Sequence, residues 1–303
     1  MSSLVSILTP TYNCGRYIHR LLDSVLRQTY PDIDMHVIDD GSTDDTKAVI
    51  ESYIPKFEQR GYQLHYHYQA NQGQSVAIND HLNLIDGEYF VWPDADDFYK
   101  TDDAIEVLVH SLENTDDTVG MSRCLLEYLF DKDLSLQRSM SRNRRYSESL
   151  FEDCLFGSDD YWYTPGGYMV KTKALKQTIP DLEIYTEHDA GQNWQLMLPV
   201  LYSYRCVTVN RVMYSVLMRW TSHSRGQYSA RKQVKKRING YRNTIVATLD
   251  RMQAMPEAER QMYIKKINKL YNRKLLENDL MFITNPIRPA IKRFISFSSS
   301  SAS

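Results

Sequence analysis

Glu88-Tyr89-Phe90-Val91-Trp92-Pro93-Asp94-Ala95-Asp96-Asp97 runs an apolar strand signal straight into three carboxylates within four positions. Like charges this close repel one another, so the cluster calls for a counter-charge. Oxygen ligands of this kind suit a hard divalent cation such as Mg²⁺ or Mn²⁺, which can also bridge to substrate phosphates. A local reading competes with this one: Asp97 is also placed to cap a helix beginning near Asp102 or Asp103.

The residues before this stretch decide the fold class. Leu4 to Leu8 reads as a buried strand bounded by the Thr9-Pro10-Thr11 turn. A helix follows with Ile18, Leu21, Leu22, Val25 and Leu26 on one face, and it ends before Tyr30-Pro31. Met35 to Ile38 forms a second strand that stops at Asp39-Asp40-Gly41-Ser42, where Ser42 or Thr43 can cap the helix carrying Ala48, Val49 and Ile50. Leu64 to Tyr68 is a third strand, Ser75 to Leu84 a crossover helix, and Glu88 to Trp92 the fourth strand. Such alternation specifies an α/β fold with a mainly parallel sheet covered by helices on both faces. Ligands of these sheets sit beyond the carboxyl ends of the strands. Three polar motifs (TPTYN, DDGSTDD and DADD) all fall there.

Composition narrows the class. Of the 303 residues, 42% are hydrophobic and 24% charged, ordinary values for a globular protein. No apolar run approaches the ~20 residues of a membrane-spanning helix. Cys14, Cys124, Cys154 and Cys206 show no metal-type pairing and the opening residues carry no secretory pattern, so reduced thiols in the cytoplasm are expected. The net charge of −2 hides an asymmetry: Arg231 to Arg293 holds sixteen Lys/Arg against five Asp/Glu, leaving about −13 on the rest. The chain reads as an acidic body over residues 1–226, a basic amphipathic helical tail over 227–295, and a disordered end over 296–303. Within the body, 1–118 reads as a nucleotide-binding half and 119–226, less regular, as an acceptor-binding half.

Taken together in order, VSILTPTYN, VIDDGSTDDT, NQGQSVAIN and GEYFVWPDADD resemble the family 2 glycosyltransferases, inverting enzymes with the GT-A fold. The resemblance covers roughly the first hundred residues. It implies that Pro10 and Tyr12 wall the base of a sugar nucleotide, while Asp40, or else Asp39, accepts hydrogen bonds from uracil or ribose. An acceptor-only carboxylate suits either partner; the same residues also read as helix caps. Asp94 and Asp96 match the family's DxD motif, with Asp97 directly after. One carboxylate, Asp94, is expected near the ribose, and Asp96 and Asp97 on Mn²⁺ or Mg²⁺. The metal would neutralise the leaving diphosphate. The resemblance adds His223 as a third ligand or a diphosphate contact, with Arg225 assisting on the phosphates.

Two departures from the family pattern stand out. Ala77-Ile78-Asn79 occupies the place of the family's A-R-N, so an expected cationic contact is missing or supplied elsewhere. Gly191-Gln192-Asn193-Trp194-Gln195-Leu196 replaces the acidic pair of GEDWDL with amides, and an amide cannot be the base that deprotonates the acceptor. Asp189, then Glu187, are the nearest candidates for that base, although both also suit a helix start. Gln192 and Asn193 are expected on sugar hydroxyls. Trp194 and Trp162 are candidates for stacking on a sugar ring or for the core.

The expected function is therefore metal-dependent transfer of a hexose or N-acetylhexosamine from a UDP-sugar. A nucleotidyltransferase would need a Gly- and basic-rich phosphate loop, which TPTYNCGRY lacks. A non-catalytic sugar-nucleotide-binding module remains open because the acidic pair is absent. Relatives that build O-antigen, capsule or exopolysaccharide suggest a polyprenyl-diphosphate-linked saccharide acceptor. The basic tail fits an anionic membrane surface, at roughly 1 kcal/mol per cation near it, and so peripheral attachment to the inner face of the membrane. It equally fits a solvated helical face packed on the body. Nothing in the motifs points to nucleic acid.

Overall fold

A computed structural model describes residues 2–139, 147–158, 161–187, 191–219 and 231–284. Its strands are β1 (Val5–Thr11), β2 (Ile33–Asp40), β3 (Gln63–Gln69), β4 (Tyr89–Val91), β5 (Phe98–Tyr99), β6 (Val119–Phe130), β7 (Leu136–Ser139), β8 (Tyr168–Lys171) and β9 (Arg205–Met218). The helices are α1 (Gly15–Leu26), α2 (Thr46–Arg60), α3 (Gln74–Asn79), α4 (Ala104–Glu113), α5 (Phe151–Phe156), α6 (Thr172–Thr178), α7 (Gln192–Ser203), α8 (Arg231–Arg251) and α9 (Glu257–Thr284).

One sheet runs in the order β3-β2-β1-β4-β8-β6-β9-β5, with β7 added beside β6. The first four strands are parallel, as the strand–helix alternation requires. β8 enters antiparallel between β4 and β6, so the second half of the body continues the same sheet in mixed orientation. Val5, Ile7 and Leu8 of β1 and Met35, Val37 and Ile38 of β2 are all but inaccessible to solvent. Helices cover the sheet on both sides: Ile18, Leu21, Leu22 and Val25 of α1 are fully buried, as their spacing demands.

β1 extends further than the sequence suggests. Thr9-Pro10-Thr11 is not a turn but the last part of the strand, with Pro10 opposite Ile38 of β2. β4 pairs with β1 only as far as Ile7, so beyond it β1 has a ladder on one side alone. A proline is tolerated where a ladder has ended. The crossover helix is shorter than its apolar pattern implies: α3 stops at Asn79, and a single 3₁₀ turn at Leu82–Leu84 completes the connection.

The expected caps also differ. Asp45, not Ser42 or Thr43, stands at the N-cap of α2, and Asp44 Oδ1 accepts the N–H of Thr46 at 3.0 Å. Ser42 Oγ instead accepts the Asn13 N–H at 2.8 Å, while Asn13 Oδ1 accepts the Thr43 N–H at 2.8 Å. The DDGST loop is thus stitched to the loop after β1, which aligns two of the three polar motifs. Asp97 caps no helix; Asp103 holds the N-cap of α4.

The basic tail packs on the body. Ile245 and Leu249 of α8 and Ile267 of α9 are fully buried, each contributing about 1.5–3 kcal/mol. Trp194 of α7 meets the Tyr241 ring at 5.1 Å, and Tyr263 of α9 donates to Glu152 of α5 at 3.0 Å. The packed-face reading therefore describes the tail through Asn278, which is buried, and Asp279, which bridges to Arg231 and Lys235 of α8. Leu276 and Leu280 of the same stretch are exposed. No described helix is long and apolar enough to cross a membrane.

Candidate active site

The carboxyl edge of the parallel strands gathers the polar motifs as β-sheet topology demands. Tyr12 follows directly on β1, and its ring is half exposed at the mouth of the edge, while Pro10 behind it is buried. β2 ends in Asp39 and Asp40, both buried. Asp39 accepts from the Ser42 N–H and from the Tyr66 hydroxyl, each at 2.8 Å. Asp40 accepts from the Gln69 side chain at 2.8 Å, the Gln72 N–H at 2.9 Å and the Gly73 N–H at 2.8 Å. A carboxylate offers about four lone-pair sites. Asp40, the first choice for a nucleoside contact, thus has about one site left for a ligand, and Asp39 about two. Gly41 between them and Ser42 adopts φ +82°, and a Cβ there would lie 2.8 Å from the Asn71 N. Only glycine allows the two loops to close at this point.

β4 delivers the acidic cluster. Trp92 is fully buried, and its Nε1–H donates to Asn193 Oδ1 at 3.2 Å, tying the end of β4 to the start of α7. Asp94 follows, accepting from Gln74 Nε2 at 3.3 Å. Burial, then the neighbouring Asp96 charge, pushes the Asp94 carboxyl up to about 7. Asp96 pairs with the Arg219 guanidinium at 2.6 Å. Asp97 turns inward: it is buried, its Oδ1 accepts the Leu217 N–H of β9 at 2.8 Å, and burial together with Asp96 and Asp94 raises it well above the carboxylate range. Its Oδ1 is thus engaged in anchoring β9 beneath the cluster.

Arg219 is the residue that sequence reasoning missed. It leaves β9 one residue past Met218, stacks at 4.6 Å on the Tyr17 ring, and keeps its Nε buried without a hydrogen-bond partner among the described residues. The signal was its position at the end of the last strand, where attention fell on His223 and Arg225 instead. A guanidinium at this point supplies a cationic group that Ala77-Ile78-Asn79 lacks. Gln74, the other unanticipated contact, opens α3 just where the NQGQS motif passes Asp94.

The expected acceptor side is divided. Asn193 uses both ends of its amide on the fold, accepting from Trp92 and donating to the Tyr163 carbonyl at 2.8 Å. One lone pair and one N–H of that amide remain for a sugar hydroxyl. Trp194 donates to the Cys154 carbonyl at 3.2 Å and lies among Tyr163 and Tyr241, so its ring is packing. Trp162 is buried under the Arg123 guanidinium at 3.8 Å and belongs to the core. Gln192 differs: it is buried, and its Nε2 has no hydrogen-bond partner among the described residues. Glu187 is exposed, and its carbonyl accepts from Ser75 Oγ at 3.1 Å. Ser75 follows Gln74, the residue on Asp94, so Glu187 borders the acidic cluster through α3. Asp189, His223 and Arg225 lie outside the described residues.

Asp94 and Asp96 are two oxygen donors near one guanidinium, with burial and the Asp96 charge leaving Asp94 partly protonated near neutral pH. That donor set fits a divalent cation.

A protein-family model for glycosyl transferase family 2 matches residues 6–164. The chain belongs to this family. Among its relatives is an uncharacterized glycosyltransferase of Rickettsia typhi, 35% identical over 155 residues, which is 51% of this chain and 46% of that protein. The chondroitin synthase of Escherichia coli is 36% identical over 141 residues, 46% of this chain and 17% of that one. The chain thus matches under half the length of these relatives. Among solved structures, the Staphylococcus aureus TarS fragment 1–349 in complex with UDP-GlcNAc superposes with a TM-score of 0.66 at 18% identity, covering 88% of this chain and 72% of that one. The family 2 assignment and the GT-A fold implied by the opening motifs are thereby established.

Proposed function

We propose that this family 2 chain transfers a hexose or N-acetylhexosamine from a UDP-sugar to a saccharide hydroxyl with inversion, in bacterial surface polysaccharide synthesis. The observation that carries the reading is the Asp94–Asp96–Arg219 arrangement beside Asp39, Asp40 and Tyr12 at one sheet edge. Tyr12 offers an exposed ring face for the uracil, and Asp39 and Asp40 offer acceptors for its imide N–H or the ribose hydroxyls. The UDP-GlcNAc bound by the TarS fragment supports a UDP-sugar donor, and the chondroitin synthase relative supports a saccharide acceptor.

Asp94 and Asp96 would hold the divalent cation, Mn²⁺ or Mg²⁺, which when bound neutralises charge on the departing diphosphate. Arg219 contributes in two ways. Its pairing orients Asp96, and its Nε, without a partner among the described residues, is a donor for a phosphate oxygen, a geometry that a guanidinium suits better than an ammonium. Asp97 holds β9, and with it Arg219, at a fixed height against the cluster. Glu187 or Asp189 takes the proton of the attacking hydroxyl, and Gln192 orients the acceptor through its free amide donor. His223 and Arg225 complete the phosphate side.

Exposed Leu276 and Leu280, beside Arg273 on the same helix, favour a lipid-linked acceptor presented at an anionic membrane surface. Titration calorimetry tests the donor site: UDP should bind much more tightly with Mn²⁺, and Asp96→Ala should remove that enhancement. UDP binding indifferent to metal in both proteins would overturn the proposal.

A further inference from the structure

Four of the chain's eight histidines gather on one face of the β2–β3 pair. His36 and His65 are register partners across the two strands. Asp34 precedes His36 by two residues and His67 follows His65 by two, so all four side chains share one face. His81 joins them from the segment after α3, its ring 5.3 Å from that of His67. Asp34 and Asp40 are six residues apart on β2, about 20 Å along a strand. Asp34 and the His36–His65 pair thus stand six and four residues short of the carboxyl edge that carries Asp40.

We propose that Asp34, His36 and His65 form a second metal site, one that takes Zn²⁺ and leaves a coordination position open to solvent. The donor atoms of these three residues all lie within 4.8 Å of one another. His36 Nε2 stands 3.2 Å from Asp34 Oδ2, and His65 Nε2 stands 3.2 Å from Asp34 Oδ1. Two ligands about 2.0–2.1 Å from a tetrahedral zinc lie about 3.3 Å apart. Each histidine thus already stands at that spacing from an Asp34 oxygen, the two distances ending on different oxygens of the one carboxylate.

A small movement brings both histidines onto one ion. The His36 and His65 rings stack at 4.7 Å with their planes 18° apart. His65 must turn its ring to aim at a shared ion. Its side chain is 43% exposed, against 10% for His36 and 13% for Asp34, so the mobile ligand is the one with room to move. The same exposure gives the ion its route of entry.

Surrounding contacts prepare the buried pair. His36 Nδ1 lies 3.0 Å from His67 Nε2. With His36 Nδ1–H donating to His67 Nε2, the His36 Nε2 lone pair is the one available to an ion bound beside Asp34, and His67 supplies the orienting contact that metal-bound histidines generally have. His65 Nε2 lies 3.2 Å from both Asp34 Oδ1 and Gln63 Oε1, so its proton can go to either. An ion would take the place of that proton at Asp34 and release His65 from Gln63.

The donor set decides the class of metal. Two imidazoles and one carboxylate suit zinc and its neighbours, whereas Asp94 and Asp96 offer only the oxygens preferred by Mg²⁺ or Mn²⁺. Because β3 is the edge strand of the sheet, zinc at this point would staple it to β2. The rival is a network held by protons alone, with His67 donating to His36 and His36 to Asp34.

The test uses the untagged full-length chain, stripped with chelator and titrated with Zn²⁺ by calorimetry, then with Co²⁺ followed by visible absorption. The expected result is one saturable site with the cobalt spectrum of a low-coordinate centre. His65→Ala, at an exposed position, should weaken Zn²⁺ by at least about tenfold, the scale that even indirect ligand support commands. His36→Gln should do the same, while Asp96→Asn should leave the affinity unchanged. Absence of saturable Zn²⁺ binding, equal binding by His65→Ala, or loss of binding in Asp96→Asn would each overturn the proposal.

Discussion

Replacing Asp94 by Asn should stabilise the protein while removing its metal-assisted nucleotide binding. Burial and the Asp96 charge lift the Asp94 carboxyl from 3.8 to about 7. At ~1.4 kcal/mol per pH unit, ionising this group in the folded state costs up to about 4 kcal/mol. The folded chain holds the Asp94 proton more tightly than the unfolded one, so this group makes stability fall as pH rises between about 4 and 7. At pH 5 roughly 1.5 kcal/mol of the penalty is present, and at pH 8 nearly all of it. Asn carries no charge and its oxygen can still accept from Gln74, so the variant escapes the penalty. Relaxation and water entry reduce the full figure, leaving an expected gain at pH 8 of about 1–3 kcal/mol, or a few degrees in Tm. Urea denaturation in EDTA at pH 5 and pH 8 measures it directly. Wild type and Asp94→Asn should diverge with rising pH, and Mn²⁺ with UDP should restore only the wild type. A difference that does not grow between the two pH values would refute the argument.

Other substitutions separate the roles around the cluster. Asp97→Asn should keep the bond from the Leu217 N–H and leave Mn²⁺-dependent UDP affinity within about threefold, whereas Asp97→Ala should cost about 1–3 kcal/mol by orphaning that N–H, both read by calorimetry and denaturation. Arg219→Lys should retain a charge but lower UDP affinity about tenfold or more in titration, since an ammonium cannot reproduce the fork beside Tyr17. Removing the chain from Arg231 onward should cause aggregation by uncovering the body beneath Ile245 and Leu249, so membrane attachment is better tested with Leu276→Ser/Leu280→Ser. That double variant should fold normally and lose sedimentation with anionic liposomes at low salt.

The parallel half of the fold was legible because buried strands and one-sided helices leave clear periodicities, as in Val5–Leu8 and Ile18–Val25. The motifs were legible for the same reason: each follows such a strand. What the sequence concealed were tertiary uses of polar atoms. Nothing local distinguishes Asp96, facing Arg219, from Asp97, holding Leu217 on a strand 120 residues later. Asn193 looks like a free amide until Trp92 and Tyr163 are brought against it. The histidines at 36, 65, 67 and 81 carry no spacing motif, because only the β2–β3 register makes neighbours of them. The tail showed basic amphipathic helices, but periodicity does not say whether an apolar face meets lipid or the body.

The central claim is inverting glycosyl transfer from a UDP-sugar. The most direct measurement offers the purified chain a panel of UDP-sugars with Mn²⁺ and lipid-diphosphate-linked saccharides, then follows UDP release and reads the product's anomeric configuration by NMR. The account predicts a product of configuration opposite to the donor's, formed with at least one UDP-sugar, and lost in Asp96→Ala and when Glu187→Gln is combined with Asp189→Asn. A product that retains the donor's configuration, or UDP binding without transfer or hydrolysis across the whole panel, would contradict it.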